Sequence, residues 1–130
     1  MHKRKIDVKT IALQFNDCIN NKDIDTLSAL MSDDYKLIDR ANNCIKGKIN
    51  NIENWKKFFE LFPDYINVFE VVWSKDSIVI MEGHSICSEE TLNCKVIWKA
   101  IIENDKVKEW RVYDDTEENR LKLGLKNYSM

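Results

Sequence analysis

The chain is poor in the residues that punctuate structure, with one Pro and three Gly among 130 residues, and no repeat, linker or low-complexity segment interrupts it. No apolar run approaches the roughly 20 residues needed to span a bilayer, which argues against a membrane protein. The opening MHKRKID is basic but runs straight into polar residues, without the apolar core of a secretory signal. Cys18, Cys44, Cys87 and Cys94 are scattered with no C-x-x-C. With His2 near the terminus and His84 as the other histidine, no metal-ligand set is in view. Four thiols without a framework fit a reducing compartment. Charge of one sign is also lacking: 20 basic against 22 acidic residues leave a net charge of −2, too weak a field to point to nucleic acid or a membrane surface. The expectation is a cytoplasmic single domain over residues 1–130, with no cofactor implied.

What the chain does have is aromatic bulk, four Trp, five Phe and four Tyr, enough for a core at this length without staples. Residues 8–20 place Val8, Ile11, Ala12, Phe15 and Ile19 on one helical stripe. NNKD breaks that helix, and Asp23 can cap a second one with Ile24, Leu27, Leu30 and Met31 as its apolar face. A strand is expected at about Tyr35 to Asp39. Asn50 followed by Glu53 resembles a capping box that opens a third helix carrying Ile52, Trp55, Phe58, Phe59 and Phe62, which Pro63 stops. From Tyr65 onward the period changes to two, predicting strands over 65–74, 77–88, 92–103 and 106–114 in an antiparallel meander. ENRLKLGL near the end reads as a last helical turn closed by Gly124. Helices first and a curled sheet second make the fold class α+β, because the helical stripes need an apolar sheet face to cover.

The order of these elements, together with FNDCINNKDIDTLSALMSDDYKLID, IKGKINNIENWKKFF and VKEWRVYDDTEENRLKLGL, resembles the SnoaL-like branch of the nuclear-transport-factor-2-like superfamily. The resemblance covers nearly the whole chain. It implies a cone-shaped, curved antiparallel sheet wrapped around three N-terminal helices, with an apolar pocket between the layers. Members include polyketide cyclases, ketosteroid isomerases, dehydratases and epoxide hydrolases, beside proteins that only bind or dimerise, so shared fold does not decide the chemistry.

On this resemblance Asp39 falls where ketosteroid isomerases carry their general base. The Tyr and protonated Asp that serve those enzymes as oxyanion donors are replaced by Phe15 and by Ile97 or Trp98. Loss of one such donor costs about 2.7–4 kcal/mol, so ketosteroid isomerisation is disfavoured. The alternative for Asp39 is a turn carboxylate before Arg40 and Asn42. Asp114 shares a strand face with Trp110 and Val112 and resembles the acid/base aspartate of SnoaL-like cyclases. Counting back from Leu123-Gly124 selects Asp115 instead, and paired acids also simply terminate strands.

Glu82 and His84 lie two apart on one strand face, where a carboxylate would hold the imidazole in one tautomer and suit it to proton transfer. The alternative for His84 is a packing residue, and Gly83 between them points to a bulge or a close approach of another segment. Phe15, Trp55, Phe59, Trp98 and Trp110 are the candidate wall for a small apolar or aromatic molecule, or else plain core. Lys95, Ile97, Lys99 and Ile101 give the outer sheet a mixed face suited to a homodimer. The leading expectation is small-molecule binding, with acid/base chemistry on a cyclic carbonyl or polyketide-like compound carried by Asp114 or Asp39. The alternative is a non-catalytic dimerisation or interaction module.

Overall fold

Helix α1, Val8–Asn21, begins where the Asp7 carboxylate accepts the Lys9 N–H at 2.9 Å, which satisfies one of the amides a helix start leaves open. Its expected stripe is the buried one: Ile11, Ala12, Phe15 and Ile19 are inaccessible or nearly so. The helix ends at Lys22 in the left-handed conformation (φ 58°), and Asp23 then caps α2, Ile24–Ala29, by accepting from Thr26 N. The computed structural model describes residues 6–125.

Strand β1 runs Met31–Ile38, starting four residues before the expected Tyr35, so Met31 belongs to the sheet and not to the helix. A turn leads to β2, Cys44–Lys46, which periodicity did not reveal because three residues carry no measurable alternation. Helix α3, Lys48–Leu61, starts at Gly47 (φ 91°) without a side-chain cap. The expected Asn50–Glu53 capping box does not form. Asn50 already lies inside the helix and donates to Lys46 O at 3.1 Å. The start is pinned instead by the fully buried Asn51, whose Nδ2 donates to Gly47 O at 2.8 Å and Ile45 O at 2.9 Å. Phe62 closes α3, directly before Pro63.

The meander follows as β3 (Ile66–Lys75), β4 (Ile78–Ile86), a short 3-10 turn at Glu90–Leu92, β5 (Lys95–Glu103) and β6 (Lys106–Asp114). Asn104 and Asp105 both take positive φ (52° and 60°), the conformation that a tight hairpin turn of matching twist demands. The final helix, α4, spans Glu117–Lys122, with Thr116 accepting from Asn119 N and Gly124 following at φ 72°. The six strands form one sheet in the order β2-β1-β6-β5-β4-β3. The meander is antiparallel as expected, whereas β1 joins it parallel to β6, which makes the sheet mixed.

Bulges between Phe69 and Val71 and between Ile101 and Ile102 bend the sheet. At the first of these a Cβ on Gly83 would stand 1.9 Å from Val68 O, so this position needs glycine. Val79, Met81, Val96, Trp98, Ala100, Val107 and Trp110 join the α1 stripe in one core. Phe15 packs between Tyr35 and Trp110, with ring centroids at 5.7 and 4.8 Å. The curved sheet thus closes around α1, which touches β3, β4, β5 and β6, while α3 lies against β1 and β2.

Candidate functional site

Where α3 and the β3 end of the sheet diverge, the layers leave a cavity of about 140 Å³. Trp55 and Phe58 of α3 form one wall and Trp98, Trp110 and Val112 of the concave sheet face the other, with Leu37, Tyr65, Asn67 and Leu92 completing it. The rings support one another: Trp55 meets Phe58 edge-on at 5.7 Å, and Phe69 backs Trp98 at 4.8 Å. Polar groups gather at Asp39, Arg40 and Asn54.

Of the expected wall, Trp55, Trp98 and Trp110 line this cavity. Phe15 does not; it is fully buried beneath Trp110. Phe59 stacks behind Trp55 at 5.5 Å. Asp39 is at the cavity, but its carboxylate is committed to its own turn. It accepts from Ala41 N and Asn43 N at 2.9 Å each and from Asn43 Nδ2 at 3.2 Å.

Asp114 sits at the end of β6, where it accepts from Arg40 Nε at 2.6 Å. Arg40 Nη1 donates to Thr91 O at 3.1 Å, so this guanidinium ties the β1–β2 turn to the end of β6 and to the 3-10 segment. Burial works against the charge on Arg40, but the Asp114 carboxylate, with Cys94 and Tyr65 acting in the same sense, offsets it and holds the guanidinium pKa above its ordinary value.

Glu82 and His84 lie on the same strand face, as alternation requires, but it is the face turned away from the cavity. Met81 and Trp98 are register partners on the concave side, which puts the flanking Glu82 outside. The expected Glu82–His84 pair does not form. His84 Nδ1 meets Glu70 Oε1 at 2.9 Å in an exposed contact, and Glu82 accepts from Arg120 Nη2 at 2.7 Å. Arg120 also donates from Nη1 to both oxygens of Asp115, at 3.1 and 3.3 Å. All three side chains are under 10% exposed. Glu82 in β4 and Asp115 beyond β6 stand on opposite sides of β5, so the guanidinium that joins them crosses over Ile97, which is fully buried on this outer face. Asp115 is therefore an anchor for α4, distinct from its neighbour Asp114.

The sequence reading missed Arg40, Tyr65 and Asn67 as cavity residues. Tyr65 follows the Pro63-Asp64 break at the start of β3, and an aromatic at a helix-to-strand turn was the available signal. Its hydroxyl is pushed well above the ordinary tyrosine range by burial, with Ser85 and the Arg40 charge acting the other way. Tyr35 is raised in the same sense by burial, with the Trp55 indole opposing it, although the two make no hydrogen bond of good geometry. Asn67 is fixed by three contacts: its backbone N–H and C=O bond the Asn20 amide at 2.8 and 2.9 Å, and its Nδ2 donates to Asn16 Oδ1 at 3.0 Å. Trp55 Nε1 and Asn67 Oδ1 are buried without a hydrogen-bond partner among the described residues. Among the described residues no group of three His, Cys, Asp or Glu side chains is gathered as a metal site would need, and no helix is long and apolar enough to cross a membrane.

An α+β architecture with N-terminal helices against a curved mixed sheet, hollow between the layers, is that of nuclear-transport-factor-2-like proteins. A nuclear-transport-factor-2-like protein of unknown function from Cytophaga hutchinsonii superposes with a TM-score of 0.70 at 11% identity, over 95% of this chain and 99% of that one. A proposed SnoaL-like polyketide cyclase from Shewanella putrefaciens gives 0.75 at 16% identity, over 95% and 99%. An LEH-like epoxide hydrolase from M. tuberculosis gives 0.73 at 16% identity, over 83% and 82%. Likeness at these identities establishes the fold alone. The SnoaL-like domain model matches residues 12–114, and the chain belongs to that family. No curated protein sequence matches it.

Proposed function

We propose that the protein binds a small, flat, largely apolar molecule in the cavity between α3 and the concave sheet face. The observation that carries this reading is the cavity itself, about 140 Å³ with Trp55, Phe58, Trp98 and Trp110 on its walls. Aromatic faces hold a planar ligand by area and by ring geometry together. Similarity to a proposed polyketide cyclase makes cyclic carbonyl compounds the first ligands to try.

Acid/base turnover of such a compound falls to Asp39, which lines the cavity, or to Asp114, which lies outside the lining and meets it through Arg40. Asp39 spends its carboxylate on the turn amides, whereas Asp114 has Arg40 as its sole hydrogen-bond donor among the described side chains. Glu82 and His84 take no part, because they face outward. A thermal-shift screen of aromatic and cyclic carbonyl compounds tests the reading. Binding raises the melting temperature of the wild type and of Asp39→Asn, and Asp114→Asn separates binding from turnover by retaining the shift while losing any product. If no compound shifts the wild-type protein, the reading fails.

A second reading, homodimerisation through the outer sheet face, has its own support. Val71, Ile78 and Ile86 remain exposed there, beyond the part that Arg120 crosses. Light scattering on the eluted protein distinguishes one copy from two.

A further inference from the structure

We infer that the ligand of this cavity carries an anionic oxygen group on its flat aromatic body, held by Arg40 and the Tyr65 hydroxyl. This rests on the binding reading above and adds the charge of what is bound. The polar groups at the cavity can be sorted by what they still have to offer. The one carboxylate in the lining, Asp39, is occupied by three donors of its own turn, and Asp114, outside the lining, is held by Arg40. Asn67 has given its amide N–H to Asn16 and keeps its Oδ1 sealed from solvent.

Donors, in contrast, remain. Arg40 uses Nε and one Nη1 proton on protein acceptors, and no described group accepts from Nη2, which is left for a ligand. Among the described residues the Tyr65 hydroxyl has one near partner, Ser85, which gives its own proton to Leu92 O. A tyrosine hydroxyl keeps its proton at neutral pH, so this group can donate, and the Arg40 charge reaches it. Asn54 can turn either edge of its amide inward. A cation with spare N–H groups beside a protonated phenol, above aromatic walls, complements a planar molecule with a carboxylate or another anionic oxygen.

A matched pair of probes tests this, 2-naphthoate against the neutral, equally sized 2-naphthamide, with affinities from quenching of tryptophan fluorescence and from calorimetry. The expected result is at least tenfold tighter binding of the naphthoate by the wild type. Arg40→Met reduces that preference to within about twofold while still binding the naphthamide, and Tyr65→Phe reduces it by a smaller factor. Equal binding of both probes to the wild type overturns the inference and leaves the cavity reading standing. Binding of neither probe overturns both. The wild-type comparison needs no variant, so it holds even where Arg40→Met disturbs the turn.

Discussion

Replacing Arg120 by Ala is the sharpest perturbation available outside the cavity. Its guanidinium is 6% exposed and makes charge-assisted contacts at 2.7 Å to Glu82 and at 3.1 and 3.3 Å to Asp115, whose side chains are 9% and 4% exposed. Among the described contacts of Arg120, two carboxylates meet one guanidinium. Removing the cation leaves two buried carboxylates without the guanidinium that joins them, and breaking a buried pair in this way costs about 3–5 kcal/mol. A domain of this kind has roughly 5–15 kcal/mol in total, so the variant loses a large fraction of its stability. The control is Glu82→Gln, which keeps the shape and the Arg120–Asp115 pair, removes one negative charge, and costs about 1–2 kcal/mol. Replacing all three by Leu, Met and Leu at positions 82, 120 and 115 is expected to be close to neutral, since well-packed apolar groups match buried ion clusters in stability. Urea unfolding at pH 7, followed by circular dichroism and extrapolated linearly, reads all three. If Arg120→Ala costs less than 1 kcal/mol, or no more than Glu82→Gln, then the cluster does not hold α4 against the sheet.

Gly83→Ala is expected to disrupt the β3–β4 pairing, because the new methyl meets backbone at 1.9 Å from Val68 O, which cannot yield as a flexible side chain would; a fall in melting temperature exceeding that of any single surface substitution checks it. Asn51→Asp replaces a donor to three backbone carbonyls (Gly47, Ile45 and Tyr35) with an acceptor, and should cost more than about 3 kcal/mol in the same urea assay, against about 2 kcal/mol for Asn51→Ala. Tyr35 and Tyr65 have their pKa raised by burial, so above the ordinary tyrosine value of 10.0 the unfolded chain ionises first. Their contribution is therefore intact below pH 10 and drains away as pH rises beyond it. Absorbance at 295 nm should show these two tyrosines titrating only together with loss of structure. Gradual titration of all tyrosines in a folded protein would refute it.

The parts of this fold that were legible in the sequence are those written in a local period or a single local contact. The α1 stripe recurs at helical spacing, Asp23 caps α2 by a contact three residues away, and Asn104-Asp105 announces its turn through the conformations those residues tolerate. Gly83 was readable as a site of close approach because a strand rarely keeps a glycine without one. The parallel union of β1 with β6 was not readable, since no local pattern records which strand becomes a distant neighbour. Alternation showed that Glu82 and His84 share a face but not which face, and the pair failed for a geometric reason: side chains two apart on a strand stand about 7 Å apart. A long arginine arriving from 38 residues away closed on Glu82 instead. In the same way Asp39 and Asp114 were found as acids near the hollow, while Arg40, which decides what Asp114 is free to do, looked like an ordinary turn residue.

The tryptophan indole N–H signals in a nitrogen–proton correlation spectrum, followed as 2-naphthoate is added, test the cavity most directly. The chain has four tryptophans: Trp55, Trp98 and Trp110 line the hollow, and Trp73, paired with Ile80, lies on the outer face. The account predicts that the first three signals move together along one binding curve while Trp73 stays still. A spectrum in which Trp73 alone moves, or in which none of the four responds at millimolar ligand, contradicts it.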